Sequence, residues 1–341
     1  MPAIPFVASL LEHALVHRAT ASLPNMTATA SSSSLEVVCA WPVSGQYGPG
    51  TRLLYYVLIA ACVAIRKIQW FREACVSAIL LLPAVAAFHA IVLAALHVDG
   101  AVDMDVYGAF QLCAVGILTF PVTVRLSRDY FNDLGRRVVF LWNVLLLAGL
   151  VSLTVEFMRL SVTTCSSDDP ASISWAAKGG VFSYGSNCSV ACTPENGPVS
   201  PLRLEVADNL YVVPVPHELS ANASTLIAAG CCIPAIRSLV STLLQILDEK
   251  FSNGKNKQKP DEPIQGTNGA TISHMTGINQ KTKAWLALVE IPVFAAAALA
   301  VIVKGEMNFW SAQMKYQTEP MQSVGQWAPV VGTALAILGS V

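Results

Sequence analysis

Residues 97–110 read HVDGAVDMDVYGAF. Asp99, Asp103 and Asp105 stand close together there, between two strongly apolar runs. The rest of the chain avoids charge. Of its 341 residues 54% are hydrophobic and 13% charged, with a mean hydropathy of +0.53; soluble domains carry about 25% charged residues. The stretch therefore reads as the polar rim between two membrane-crossing helices, and the chain as an all-α, multi-pass membrane helical bundle. The net charge of −1 leaves no electrostatic footprint for a nucleic-acid partner. The expected partner is the lipid bilayer.

Working outward from that rim, apolar runs of span length fall at 53–68, 74–97, 106–124, 138–158, 225–247, 284–303 and 327–341, about seven in all. A spanning helix needs about 20 apolar residues. The first run is short, and the last stops at the C-terminus, as expected of a span cut short. The organisation expected is a tail at 1–52 with little core of its own, four helices over 53–160, a Cys-bearing loop at 161–224, a fifth helix at 225–247, a disordered loop at 248–283, and the last two helices over 284–341. The opening MPAIPFVASLLEHALVHRAT has no basic start and holds Glu12 and His13, so it is a poor secretory signal, and the first span is expected to do the targeting. LYVVPVP, at 210–216, reads as an edge strand, because proline is tolerated in sheets only at such positions.

Three signals agree on orientation. Arg66, Lys67, Arg72, Arg125, Arg128, Arg136, Arg137, Lys250, Lys255, Lys257, Lys259, Lys281 and Lys283 all fall on one side, which the positive-inside rule makes cytosolic. The glycosylation acceptors Asn25, Asn187 and Asn222 fall on the other side. So do Cys39, Cys165, Cys188 and Cys192, which can form two disulfides in three connectivities. The N-terminus is thus expected in the lumen of the endoplasmic reticulum or another endomembrane, and the C-terminus in the cytosol.

Ionisable groups at membrane depth are costly and default to a functional reading. Arg237 and Glu290 stand at similar depth on the fifth and sixth spans and are expected to form a structural ion pair. His89, Gln111 and Glu156 gather toward the lumenal half of consecutive spans, where they could line one cavity. Each also has a plainer reading: His89 on a backbone carbonyl, Glu156 snorkelling beside Arg159, the three aspartates in a solvated loop. Neither a metal nor a cofactor is expected, since the sequence has no HExxH, P-loop, GxSxG, paired CxxC or DDxxD, and Asp103-x-Asp105 lacks the nucleotide-sugar domain that a DxD motif serves. A receptor is a weaker reading, since Arg128-Asp129-Tyr130 has the wrong order for the rhodopsin-like motif. A small-molecule transporter fits the prolines within spans, but no inverted repeat accompanies them.

The stretch VDMDVYGAFQLCAVGILTFPVTVRLSRDYF, residues 102–131, resembles fungal integral membrane proteins and, more faintly, the membrane-bound terpene cyclases of meroterpenoid pathways of the ascochlorin and ascofuranone type. The resemblance extends over about residues 50–160; NGPVSPLR and AAGCCIPAI also look fungal but carry no activity. It implies a secondary-metabolite enzyme that folds a farnesyl or epoxyfarnesyl chain attached to an aromatic ring, a hydrophobic prenylated substrate. Such chemistry needs one carboxylic acid kept protonated, and aromatic faces for the passing cation. Asp103 or Asp105 is then the expected general acid and Glu156 the second carboxylate or final base. His89 and Gln111 would position the substrate, while Tyr107 and Phe110 would line the cation path. The long Cys-bearing loop departs from compact cyclases and keeps a non-catalytic membrane protein in play.

Overall fold

The computed structural model describes residues 35–65, 68–125, 133–165, 192, 198–203, 210–216, 219–252, 272–311, 314 and 324–338. Seven helices run through them: α1 Pro49–Ala64, α2 Gln69–Ala95, α3 Asp105–Arg125, α4 Asp133–Arg159, α5 Ala221–Ser252, α6 Ile272–Phe309 and α7 Val324–Leu338. Four hold segments long and apolar enough to cross a bilayer: Trp70–Ala95, Asp105–Thr123, Arg137–Arg159 and Ala221–Leu244. Of the seven spans expected, these four are established by the described residues. With 16 and 15 residues, α1 and α7 reach only about 24 Å at the helical rise, short of a bilayer core of about 30 Å.

The bundle is built around α3. Its spanning window is 89% buried, against 39% or less in the other three, and α1, α2, α4, α5 and α6 all lie against it. Close approach depends on small residues, as expected where lipid offers no hydrophobic drive between helices. A Cβ on Gly116 of α3 would stand 2.8 Å from the Pro83 ring of α2, and one on Gly149 of α4 would stand 2.7 Å from the Ala87 backbone. The Trp142 indole donates to the Leu80 carbonyl at 2.6 Å, tying α4 to α2.

The all-α expectation needs correction at one end, where a small sheet caps the bundle. Strand β1, Leu35–Trp41, lies inside the segment 1–52, and within its described part Val37 to Trp41 are buried. On one side β1 pairs antiparallel with β4, Tyr211–Pro214, from Val37↔Pro214 to Ala40↔Tyr211. On the other it pairs antiparallel with β3, Thr163–Cys165, and in parallel with β2, Val102–Asp103. β4 is the edge strand that its prolines call for. Side chains alternate across a strand. Val38 and Ala40 therefore face the helices, while Cys39 and Trp41 form an outer cluster with Ala101, Cys192 and Leu210. Buried on both faces, LEVVCAW shows no polar alternation, and it is too short for a span; hence its strand character was hidden.

Helix boundaries shift too. α1 starts at Pro49 and α5 at Ala221, each earlier than the apolar runs. α5 runs on to Ser252 and α6 begins at Ile272, so both ends of the segment expected as a loop at 248–283 are helical; its middle lies outside the described residues. Once an apolar span has nucleated a helix, polar residues of good propensity extend it cheaply.

Candidate functional site

The three acids of the opening stretch do not share a fate. Gly100, at φ +83° in the left-handed region that glycine tolerates, turns the chain between α2 and β2. Asp99 is left outside and Asp103 and Asp105 are carried in.

Asp103 and Asp105 form a clasp. Arg203 donates from Nε to Asp103 Oδ2 at 3.0 Å, and from Nη2 to Asp103 Oδ1 at 2.8 Å, to Asp105 Oδ2 at 3.0 Å and to the Pro42 carbonyl at 3.1 Å. Ser44 donates its amide to Asp105 Oδ1 at 2.6 Å and its hydroxyl to Oδ2 at 2.7 Å. The Asp105 amide donates to Asp103 Oδ1 at 3.0 Å, satisfying a free N–H at the start of α3. All four carboxylate oxygens are engaged, and Asp105 is 2% exposed. The arrangement locks β2, the β1–α1 connection and the loop at Arg203 to the tip of the central helix. The Cys39–Cys192 disulfide closes the same cap covalently. Of the other two cysteines expected to pair, Cys165 lies on β3 opposite Leu35, and Cys188 falls outside the described residues.

Glu156, one turn from the capped end of α4, is arranged differently. Its Oε1 lies 2.8 Å from His97 Nδ1, and His97 Nε2 lies 3.5 Å from Asp99 Oδ1. Its Oε2 is buried with no hydrogen-bond partner among the described residues. The expected snorkel beside Arg159 gives way to this dyad, since Arg159 donates to the Ala94 carbonyl at 3.2 Å. The adjacent Phe157 meets Tyr107 and Phe110 edge-on, at centroid distances of 5.2 and 5.7 Å. The Tyr107 hydroxyl is likewise buried and unpartnered among the described residues.

His89 and Gln111 do not join Glu156 in one cavity lining; each has partners of its own. Gln46 Nε2 stands 3.0 Å and Tyr47 Oη 2.8 Å from His89 Nδ1. The Gln46 amide can only donate, so Nδ1 accepts and the ring proton sits on Nε2. Burial, with Asp105 and Asp103 nearby, holds the Tyr47 phenol well above its usual range, which keeps it a neutral donor. The tyrosine ring stacks on the imidazole at 5.6 Å.

Gln111 belongs to a network that the sequence did not reveal. Arg52 grips Glu306 with Nε and Nη2, at 2.8 and 3.1 Å. The Tyr56 hydroxyl donates to Oε1 at 2.8 Å, the Trp310 indole to Oε2 at 3.1 Å, and Gln111 Nε2 to both Tyr56 Oη and Oε1. The Arg52 guanidinium covers the Phe309 ring at 3.8 Å. This ties α1, α3 and α6 together. Its sequence signal was an arginine at the lip of the first run and a lone glutamate just past the sixth, and nothing in spacing joins them.

Arg237 meets Glu290 across α5 and α6, Nη2 to Oε2 at 2.6 Å. Asn222 is exposed in the first turn of α5, while Asn25 and Asn187 fall outside the described residues. Among the described residues no three His, Cys, Asp or Glu side chains stand close enough to hold a metal ion. No family model, curated protein or solved structure matches the chain.

Proposed function

We propose that this membrane protein is a terpene cyclase of the proton-initiated kind, acting on a farnesyl or epoxyfarnesyl chain of a prenylated aromatic in fungal meroterpenoid biosynthesis, with Glu156 as the acid. The observation that carries this is the Glu156 carboxyl itself: one oxygen is held by His97, and the other is buried and without a partner among the described residues, on the stretch of α4 that brings Phe157 against Tyr107 and Phe110. In the proposed step Glu156 gives its proton to an alkene carbon or an epoxide oxygen. The C=C pair or the C–O bond opens, successive double bonds close rings, and the last cation loses a proton or takes up water. Aromatic faces stabilise the passing positive charge.

Asp103 and Asp105 suit this role less well than the opening stretch promised. Their oxygens are all engaged, by Arg203, Ser44 and the Asp105 amide, so neither offers a free oxygen to a substrate. We assign them to holding the cap. The disulfide and the exposed Asn222 support a lumenal cap, because disulfides persist in oxidising compartments. Taking α6 to cross as well, and the shorter α1 and α7 to cross where the bilayer thins to meet them, puts the N-terminus in the endomembrane lumen and the C-terminus in the cytosol.

The test is turnover in microsomes. Wild-type protein should convert a farnesylated or epoxyfarnesylated phenol to a cyclic product of equal mass or one water heavier, and Glu156→Gln should abolish this at unchanged protein level. Unaltered conversion by that variant removes Glu156 from the chemistry. Movement of the substrate across vesicles with its mass unchanged would make the protein a transporter instead.

A further inference from the structure

Glu156 is enclosed, and an acid that gives up a proton in each cycle has to be reloaded. We propose that His97 is the relay that carries protons from water at the capped end to Glu156. It is a positioning and proton-transfer residue for which neither sequence motif nor resemblance provides a role. The inference deepens the reading of Glu156 as the working acid, but its first readout does not need turnover.

The geometry is a graded series. Asp99 is fully exposed, the His97 side chain is 17% exposed and that of Glu156 is 9% exposed. The imidazole stands between the two carboxyl groups, with Nε2 3.5 Å from Asp99 Oδ1 and Nδ1 2.8 Å from Glu156 Oε1. Each ring nitrogen thus faces one carboxyl group, and Glu156 Oε2, without a partner among the described residues, lies beyond. The turn at Gly100 fixes the wet end, because its positive φ holds Asp99 out of the cap while Asp103 and Asp105 go in. Among the described residues, Arg159 follows Glu156 by one turn on α4, and its guanidinium donates to the Ala94 carbonyl near the end of α2.

Transfer through the ring balances simply. The ring begins neutral with its proton on Nδ1. Nε2 takes a proton from water or from Asp99, giving imidazolium. The Nδ1 proton then passes to Glu156 Oε1, and the ring is left neutral with its proton on Nε2. Exchange with water restores the starting tautomer. Histidine suits this because its ordinary pKa, about 6.5, lets it accept and release a proton near neutrality.

The experiment uses the full chain in nanodiscs. The infrared carbonyl band of protonated Glu156, identified by its loss in Glu156→Gln, is followed as water is exchanged for heavy water. His97→Asn keeps a donor at the Nδ1 position but cannot relay. We expect deuterium to reach Glu156 at least about tenfold more slowly in that variant, the lower end of what a placed proton-transfer group contributes. Added imidazole should restore the rate, and Asp99→Asn should slow it by about twofold. Exchange at the wild-type rate in His97→Asn overturns the relay. Should His97→Asn misfold, Asp99→Asn and the pH profile of exchange in wild type decide: a rate that ignores pH across the histidine range also overturns it. Where turnover is present, His97→Asn should lower kcat and flatten its pH profile while leaving KM unchanged. His97-dependent exchange in a protein without turnover would sink the cyclase reading and leave the relay standing; turnover with an unaltered pH profile in His97→Asn would do the reverse.

Discussion

Two acidic sites lie at the capped end of the bundle, one at the tip of α3 and one a turn inside α4. Both are buried, yet they are built to opposite rules. At Asp103 and Asp105 every oxygen is engaged, by a guanidinium, a hydroxyl or a backbone amide. At Glu156 one oxygen is engaged and the other has no partner among the described residues. A saturated carboxylate is anchored, and moving or protonating it disturbs every donor around it. An unsaturated one keeps an interaction in reserve, at a cost of about 1–3 kcal/mol for the buried group left unpaired. Other buried hydroxyl and amide atoms, such as Tyr107 Oη and Asn143 Oδ1, are also left so among the described residues, but Glu156 Oε2 is the carboxylate oxygen among them. Burial is common to the two sites; completeness of hydrogen bonding is what distinguishes them, and the proposed assignment of roles rests on that difference.

Removing a partner from the saturated site should produce the largest effect. Arg203→Ala leaves two buried carboxylates facing each other uncompensated, and breaking a buried pair in this way costs about 3–5 kcal/mol. We expect a fall in the midpoint of thermal unfolding in detergent, with little folded protein at 37 °C. A variant as stable as wild type would mean that the clasp is not what holds the cap. Cys39→Ser comes next. The disulfide closes 153 residues of chain, and losing a native bridge typically costs about 2–5 kcal/mol. A reductant should lower wild-type stability by the same amount and leave the serine variant unchanged, which separates the covalent restraint from the ionic one. Glu156→Gln sharpens the contrast from the other side. Glutamine keeps the shape and the bond to His97, so stability should change by less than about 1 kcal/mol, whereas turnover should fall by about a hundredfold or more. A stability loss as large as that of Arg203→Ala would erase the distinction between the two sites.

The helices were legible because each apolar run is long and local: the runs at 106–124, 138–158 and 225–247 fall within observed helices, and the run at 74–97 overshoots α2 by two residues. What escaped was non-local or two-sided. β1 is buried on both faces and has no period to read. Arg203 reaches its carboxylates across 98 and 100 residues, and Arg52 reaches Glu306 across 254; no spacing rule joins residues so far apart. His97 opens the very stretch that drew attention, but its partner is 59 residues away, so it read as a rim residue like any other. Sequence identified the acids as unusual. It did not say which of them would be saturated.

The smallest effect belongs to Arg237 and Glu290, a third acidic site that lies far from the cap and tests the rule in lipid. Here a 2.6 Å bond joins α5 to α6, but Arg237 is half-exposed on the helix surface. Two opposing arguments bear on its strength. Lipid screens charge poorly, which favours a strong pair; but an exposed arginine can also snorkel toward head groups or water when its partner is lost, which weakens the measured coupling. Interhelical polar pairs in membranes average about 0.6 kcal/mol in double-mutant cycles, so the second argument should win. Arg237→Ala and Glu290→Ala should each lower the folded yield more than their combination does relative to additivity, with a coupling near that average. Strict additivity would mean the two side chains act on stability separately despite their bond. A coupling of several kcal/mol would instead place Arg237 with Arg203, as a charge whose only good environment is its partner.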